Sequence, residues 1–153
     1  MLFMTYHSPI SLPRTWVRFF THVLGHATMS HLIGNLTYIL LLGPLLEEKY
    51  GSAFLLKVIL LTALVTGLVN YVIFPGAGLL GASGVVFAFI ILSSITGVRQ
   101  GEIPLTFLLV TAIYLGQQVY EGIFLADNVA NFAHIIGGLI GAGAGFGFFG
   151  ERR

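Results

Sequence analysis

The stretch Gly81-Ala82-Ser83-Gly84 joins a segment rich in helix breakers, Pro75-Gly76-Ala77-Gly78, to the uninterrupted apolar run 85–92. This pattern predicts a helix that begins close to Ser83. The first turn of a helix leaves backbone N–H groups without partners, and a serine there has an exposed hydroxyl. A nucleophilic serine needs both features, although a serine between small residues at a helix start is also typical of a cap or of close packing.

The composition of the 153-residue chain is that of a membrane protein. Hydrophobic residues make up 56% of it and charged residues 8%, with a mean hydropathy of +0.93, whereas soluble domains carry about 25% charged residues. The chain has no cysteine, which excludes disulfides and thiolate metal sites. Its net charge of +1 argues against a nucleic-acid partner.

Five apolar segments have roughly the length of about 20 residues that a helix needs to cross a bilayer, so the sequence predicts an all-α polytopic membrane protein. Residues 27–150 form one predicted transmembrane core. Residues 1–26 are interrupted by Pro9 and Pro13, and we expect an interfacial segment with Trp16 and Arg18 among lipid headgroups. The five predicted helices are 27–46, 53–74, 81–98, 104–120 and 132–149.

The basic residues predict the orientation of these helices. Arg14 and Arg18 lie on one side of the membrane, and the remaining basic residues lie on the other, which we take as the cytoplasmic side of a prokaryotic plasma membrane. The N-terminus is then outside and the C-terminus cytoplasmic. Ser83 and His134 fall at the outer ends of two helices that run in the same direction, at similar depth. The cytoplasmic basic residues are Lys49, Lys57, Arg99, Arg152 and Arg153.

A histidine inside an apolar helix is costly, so His134 is a candidate general base. Glycines follow it at offsets of three, seven and eleven, on one face of the helix. Such a face lets another backbone approach closely, and the helix that begins at Ser83 offers small partners. The alternative is that His134 only bonds a carbonyl and the glycines only pack. The small residues concerned are Gly137, Gly141 and Gly145 on one helix and Gly84 and Ala88 on the other.

His31 and Asn35 are four residues apart, on one face of the first predicted helix and at the depth of Ser83. Two polar donors beside a nucleophile are what a developing oxyanion requires. The competing interpretation is a metal or haem site, because imidazole is a common ligand. The outer half of this helix carries no acidic residue, so we expect neither a metal nor another cofactor.

No carboxylate is well placed to orient His134. Asp127 and Glu121 are interpreted as solvated loop charges, so the simplest arrangement is a Ser–His dyad whose imidazole is held by packing. Phe87 is one turn from Ser83 on the same face, and its ring could stack on His134. An aromatic residue at that position also fits an ordinary role in the core.

Four motifs together resemble the rhomboid family of intramembrane serine proteases, in family order and spacing, over almost the whole stretch 18–145. They are His31-x-x-x-Asn35, Glu47 through Gly51-Ser52, Gly81-Ala82-Ser83-Gly84, and Ala133-His134-x-x-Gly137-x-x-x-Gly141. The resemblance implies that Ser83 is the nucleophile and His134 the general base. It also implies an oxyanion hole formed by His31, Asn35 and the backbone N–H of Ser83.

The same resemblance also implies roles for residues outside the proposed dyad and oxyanion hole. Phe87 falls where the family often has a tyrosine that stacks on the histidine. Trp16 and Arg18 are similar to the aromatic and basic motif of the family's interfacial loop. His22 and His26 match histidines that shape this loop, and no catalytic role is assigned to them. The family core has six helices, and a spanning segment normally precedes that loop, whereas only fifteen residues precede Trp16 here.

The resemblance implies hydrolysis of peptide bonds in or next to the transmembrane helices of substrate proteins. The partners expected are transmembrane substrates and the lipid bilayer, with no nucleic acid and no metal. A non-proteolytic scaffold that binds client helices is the main alternative, because the usual first helix is not found in the sequence. Ser83, His134 and Asn35 together argue for the protease, since a scaffold needs none of them.

Overall fold

The computed structural model describes residues 1–95 and 128–150, together with the single positions Leu105, Leu109 and Ala112. This part of the chain is helical. Most of the fourth predicted helix, 104–120, lies outside the described residues. The helices are α1 (Pro13–Thr21), α2 (Met29–Tyr50), α3 (Ser52–Ile73), α4 (Ser83–Ser94) and α5 (Asn128–Gly150), with a short 3₁₀ turn at His22–Leu24.

Helix α2 begins with a side-chain cap and ends at a glycine. The Thr28 hydroxyl accepts a hydrogen bond from the His31 backbone N–H at 3.1 Å. At the other end Gly51 has φ +83°, which favours glycine, and its N–H donates to the Glu47 carbonyl at 2.8 Å. The predicted end at residue 46 was wrong, because Glu, Lys and Tyr are compatible with a helix that continues through residues 47–50.

Two helices of the described part of the chain, α2 and α3, are long and apolar enough to cross a membrane. Each has 22 residues, close to the roughly 20 that a bilayer requires. Helix α2 exposes a broad apolar surface, which suits contact with lipid tails rather than water. Its exposed large apolar side chains include Ile33, Leu36, Leu40, Leu41 and Leu45.

Helices α4 and α5 touch backbone to backbone. A Cβ atom added to Gly137 would lie 2.8 Å from the carbonyl carbon of Gly84, and one added to Gly141 would lie 2.9 Å from that of Ala88. The small-residue faces predicted for these helices therefore meet each other. Helix α5 also begins at Asn128, four residues before the predicted start. His134 consequently lies inside the helix rather than at its first turn.

The core lies where α4 packs between α2 and α3. Ala88 and Leu92 are fully buried there, and the Phe89 ring is almost fully buried. Close packing of these side chains holds α4 in a fixed position relative to both neighbouring helices. The buried members of this cluster are Leu46, Tyr50, Leu55, Val58, Val85, Ala88, Phe89 and Leu92.

The N-terminal segment is folded against the loop that leads into α4. Thr5 and Leu79 form an antiparallel bridge with two backbone hydrogen bonds of 2.9 Å. Arg18 is only 3% exposed, and its Nε donates to the Met1 carbonyl at 2.9 Å while its guanidinium covers the Tyr6 ring. The N-terminal segment therefore encloses Arg18, whereas Trp16 is half exposed. The position of both residues at the level of the lipid headgroups stays a prediction.

His22 ties this N-terminal segment to α3. Its ring is buried, with Nε2 3.0 Å from the Ala63 carbonyl oxygen and 3.4 Å from Thr66 Oγ1. Burial lowers the pKa of His22 below its ordinary value, because desolvation disfavours the imidazolium form. The hydrogen bond to the Ala63 carbonyl acts in the opposite direction and only partly offsets this effect.

The glycine contacts predict different effects of a glycine-to-alanine substitution on two sides of α5. Gly137→Ala should lower the free energy of unfolding by about 1–3 kcal/mol, because the new methyl group meets the Gly84 backbone. Gly143→Ala is the matched control, since an added Cβ there has no atom within 4 Å. Thermal unfolding in detergent compares the two variants, and equal melting temperatures would contradict the close contact.

The buried His22 predicts a loss of stability in mild acid. An unfolded histidine takes up its proton near pH 6.5, whereas the folded one does so only at lower pH. Unfolding therefore binds a proton as the pH falls below about 6.5, and the folded state loses stability. The melting temperature of the wild type should fall more between pH 7.5 and 5.5 than that of His22→Gln. The exposed His7→Gln should keep the wild-type response, and an equal fall in all three proteins would contradict the assignment.

Candidate active site

Ser83 is the first residue of α4 and follows a loop whose backbone is hydrogen-bonded to His22 and to Thr5. Gly81 has φ +121°, a conformation that favours glycine, and its N–H donates to the His22 carbonyl at 3.0 Å. Two residues earlier, Leu79 is bridged to Thr5. The half-buried Ser83 therefore lies at the N-terminus of α4 on a backbone with little freedom to move. The free N–H groups of a first helical turn are available beside it.

His134 lies beside this first turn of α4. The centre of its ring is 4.3 Å from that of Phe87, with the two planes tilted by 42°. Phe87 is one turn beyond Ser83, and Gly137, one turn beyond His134, touches the backbone of Gly84. These two contacts bring the imidazole to the end of α4 that carries Ser83. The expected ring contact is confirmed, although it is tilted rather than parallel.

His31 approaches the same loop from α2. A Cβ atom added to Gly81 would lie 2.6 Å from Cε1 and 2.9 Å from Nε2 of His31, so the imidazole packs directly on the glycine. Gly81 thus serves two purposes, since it adopts a positive φ and leaves room for a ring. His31 therefore packs against a residue that lies two positions before Ser83 in the chain.

Asn35 is buried one turn beyond His31, with 7% of its surface exposed. Its Nδ2 lies 3.0 Å from Nε2 of His26, and the His26 ring packs edge-on against that of His31 with centres 5.0 Å apart. No sequence motif indicated this contact, because His26 precedes α2 in an irregular segment without helical periodicity. Three polar side chains, rather than the two expected, therefore form this side of the site.

A polar stripe on α3 also reaches the site and was missed in the sequence. Thr62, Thr66 and Asn70 are buried at four-residue spacing in an otherwise apolar helix, a signal that was available. The methyl groups of the two threonines would lie 3.5 Å from a Cβ at Gly84. Among the described residues, Thr62 Oγ1 and Asn70 Oδ1 have no hydrogen-bond partner. Two buried threonines of α3 thus pack through their methyl groups beside the start of α4.

The remaining sequence expectations concern acids and metals. Asp127 and Glu121 lie outside the described residues. Within residues 1–95 and 128–150, no three His, Cys, Asp or Glu side chains are arranged to hold a metal ion. In the cluster of His26, His31 and Asn35, only the two histidines are of a type that commonly binds a metal ion. One ring nitrogen of His26 already faces Asn35.

Comparison with protein families gives a match to the Rhomboid domain over residues 13–151. The chain belongs to the rhomboid family. The match confirms the family predicted from the four motifs, and it identifies the chain as a membrane protein. It includes all the candidate site residues, from His31 and Asn35 to Ser83 and His134. Rhomboid proteins are generally intramembrane serine proteases.

Proposed function

We propose that this rhomboid-family protein is a serine endopeptidase that cleaves membrane proteins within or next to a transmembrane helix. The nucleophile is Ser83 and the general base is His134. The observation that carries this proposal is the Phe87–His134 ring contact of 4.3 Å, combined with the backbone contact between Gly84 and Gly137. Both contacts lie within one turn of Ser83 at the N-terminus of α4. They support the pairing of this serine with an imidazole, which is a pairing that activates a hydroxyl group.

In the proposed reaction His134 removes the proton from the Ser83 hydroxyl as the oxygen attacks the substrate carbonyl carbon. The protonated His134 then gives this proton to the leaving amine, and the C–N bond breaks. An acyl-enzyme remains on Ser83. Water attacks the ester with His134 again acting as base, and the carboxylic acid product leaves. Packing of the Phe87 ring would help to hold the imidazole plane.

The oxyanion that forms during the attack needs hydrogen-bond donors other than the nucleophilic hydroxyl group. We assign this role to Asn35, His31 and the backbone N–H of Ser83. His31 packs on Gly81, and Asn35 is one turn further along the same face of α2. Asn35 is buried, and a hydrogen bond to a developing charge is stronger where water is excluded.

Hydrolysis also requires water inside an apolar protein. The α3 stripe of Thr62, Thr66 and Asn70 supplies buried polar side chains to this part of the protein, and the methyl groups of the two threonines pack beside Gly84 at the start of α4. A transmembrane substrate must unwind locally to expose a peptide bond, which favours small and helix-breaking residues near the cut. We propose that the site opens toward the outer side of the membrane, where the N-terminus lies.

Cleavage of a single-span reporter protein in liposomes tests the proposal. Wild type should cleave it, and Ser83→Ala and His134→Ala should each lower the rate by at least about a thousandfold, because each removes one half of the dyad. Ser93→Ala, on the same helix but ten residues further along, is the matched control and should cleave normally.

Two results would count against a dyad. Cleavage that survives Ser83→Ala would exclude Ser83 as the nucleophile. A wild-type protein that is folded by circular dichroism but inactive would instead support the non-proteolytic scaffold, which binds client helices without hydrolysing them.

A further inference from the structure

Asn35 can act as a donor only if the nitrogen end of its amide, not the oxygen end, is presented to the oxyanion. The two ends have nearly the same shape, so a neighbouring group must distinguish them. The group that can distinguish them is the His26 ring, whose Nε2 lies 3.0 Å from Asn35 Nδ2. His26 belongs to the irregular segment before α2 and has no part in the reaction described above.

The other ring nitrogen of His26 fixes its tautomer. His26 Nδ1 lies 3.3 Å from the carbonyl oxygen of Leu24. A carbonyl oxygen can only accept, so Nδ1 carries the proton and Nε2 of the neutral ring carries the lone pair. Nε2 must then face a donor, which is the NH₂ group of Asn35. The oxygen end of the amide in this position would set two acceptors against each other.

We infer that His26 is a positioning residue for the oxyanion hole, which selects the donor orientation of the Asn35 amide. One N–H of Asn35 is given to His26, and the second N–H on the same nitrogen is left for the substrate oxygen. This inference rests on the proposed role of Asn35.

Two substitutions at residue 26 separate the hydrogen bond to Asn35 from the one to Leu24. In His26→Gln the amide reaches the position of Nε2, so it can still accept from Asn35. In His26→Asn the amide reaches only the position of Nδ1, so it can keep the Leu24 contact but not the one to Asn35. His7→Asn removes an exposed histidine from the same N-terminal segment and is the matched control.

The experiment measures kcat and KM for reporter cleavage in liposomes. His26→Asn should lower kcat by about ten- to a hundredfold, with KM nearly unchanged. This decrease in kcat is no larger than the one expected when a whole oxyanion donor is removed. His26→Gln should recover most of the wild-type kcat, and His7→Asn should match the wild type. In an Asn35→Ala background, His26→Asn should change kcat by less than about twofold, because the group it orients is already gone.

Several results would overturn the inference. They are a normal kcat in His26→Asn, an undiminished effect of His26→Asn in the Asn35→Ala background, or a His26→Gln variant as slow as His26→Asn. The failure of the proposed function looks different, because the wild type and His7→Asn would then fail to cleave, or Ser83→Ala would remain active. Thermal unfolding of every variant shows whether a loss of rate comes from a loss of fold.

Discussion

The close approach of α4 and α5 is the constraint on which the rest of the site depends. Gly137 against Gly84 and Gly141 against Ala88 leave no room for a side chain between the two backbones. Van der Waals contact of this kind is a main source of helix association in a membrane, where lipid tails are as apolar as the side chains. Because His134 is one turn from Gly137 and Ser83 is next to Gly84, the contact between the helices also brings the proposed base to the same end of α4 as the proposed nucleophile.

Polar groups in an apolar protein must satisfy one another, and this requirement shapes the surroundings of the site. His22 bonds the Ala63 carbonyl, His26 bonds Asn35 and Leu24, and Arg18 is enclosed by the N-terminal segment. Backbone hydrogen bonds from Gly81 to His22 and between Thr5 and Leu79 connect this part of the chain to the loop before Ser83. The N-terminal segment therefore holds the backbone from which the proposed nucleophile projects.

Local patterns predicted the parts of this arrangement that follow helical periodicity. The glycine face of α5, the position of Phe87 and the pairing of His31 with Asn35 on one face all follow from spacing within a single helix. The His26–Asn35 bond and the Thr5–Leu79 bridge did not follow, because each involves an irregular segment and the bridge joins residues far apart in the chain. The end of α2 was misjudged because charged residues were taken as a stop, although they are good helix formers and Gly51 provides the actual end.

The most direct test of the central claim is the reaction of the folded protein with a fluorophosphonate, followed by mass spectrometry of its peptides. Such a reagent modifies a serine only when a base activates the hydroxyl and donors stabilise the developing charge. The account predicts an adduct on Ser83, none on the exposed Ser30, and much slower labelling in His134→Ala. Absence of an adduct in the folded wild type, or equal labelling of Ser83 with and without His134, would contradict it.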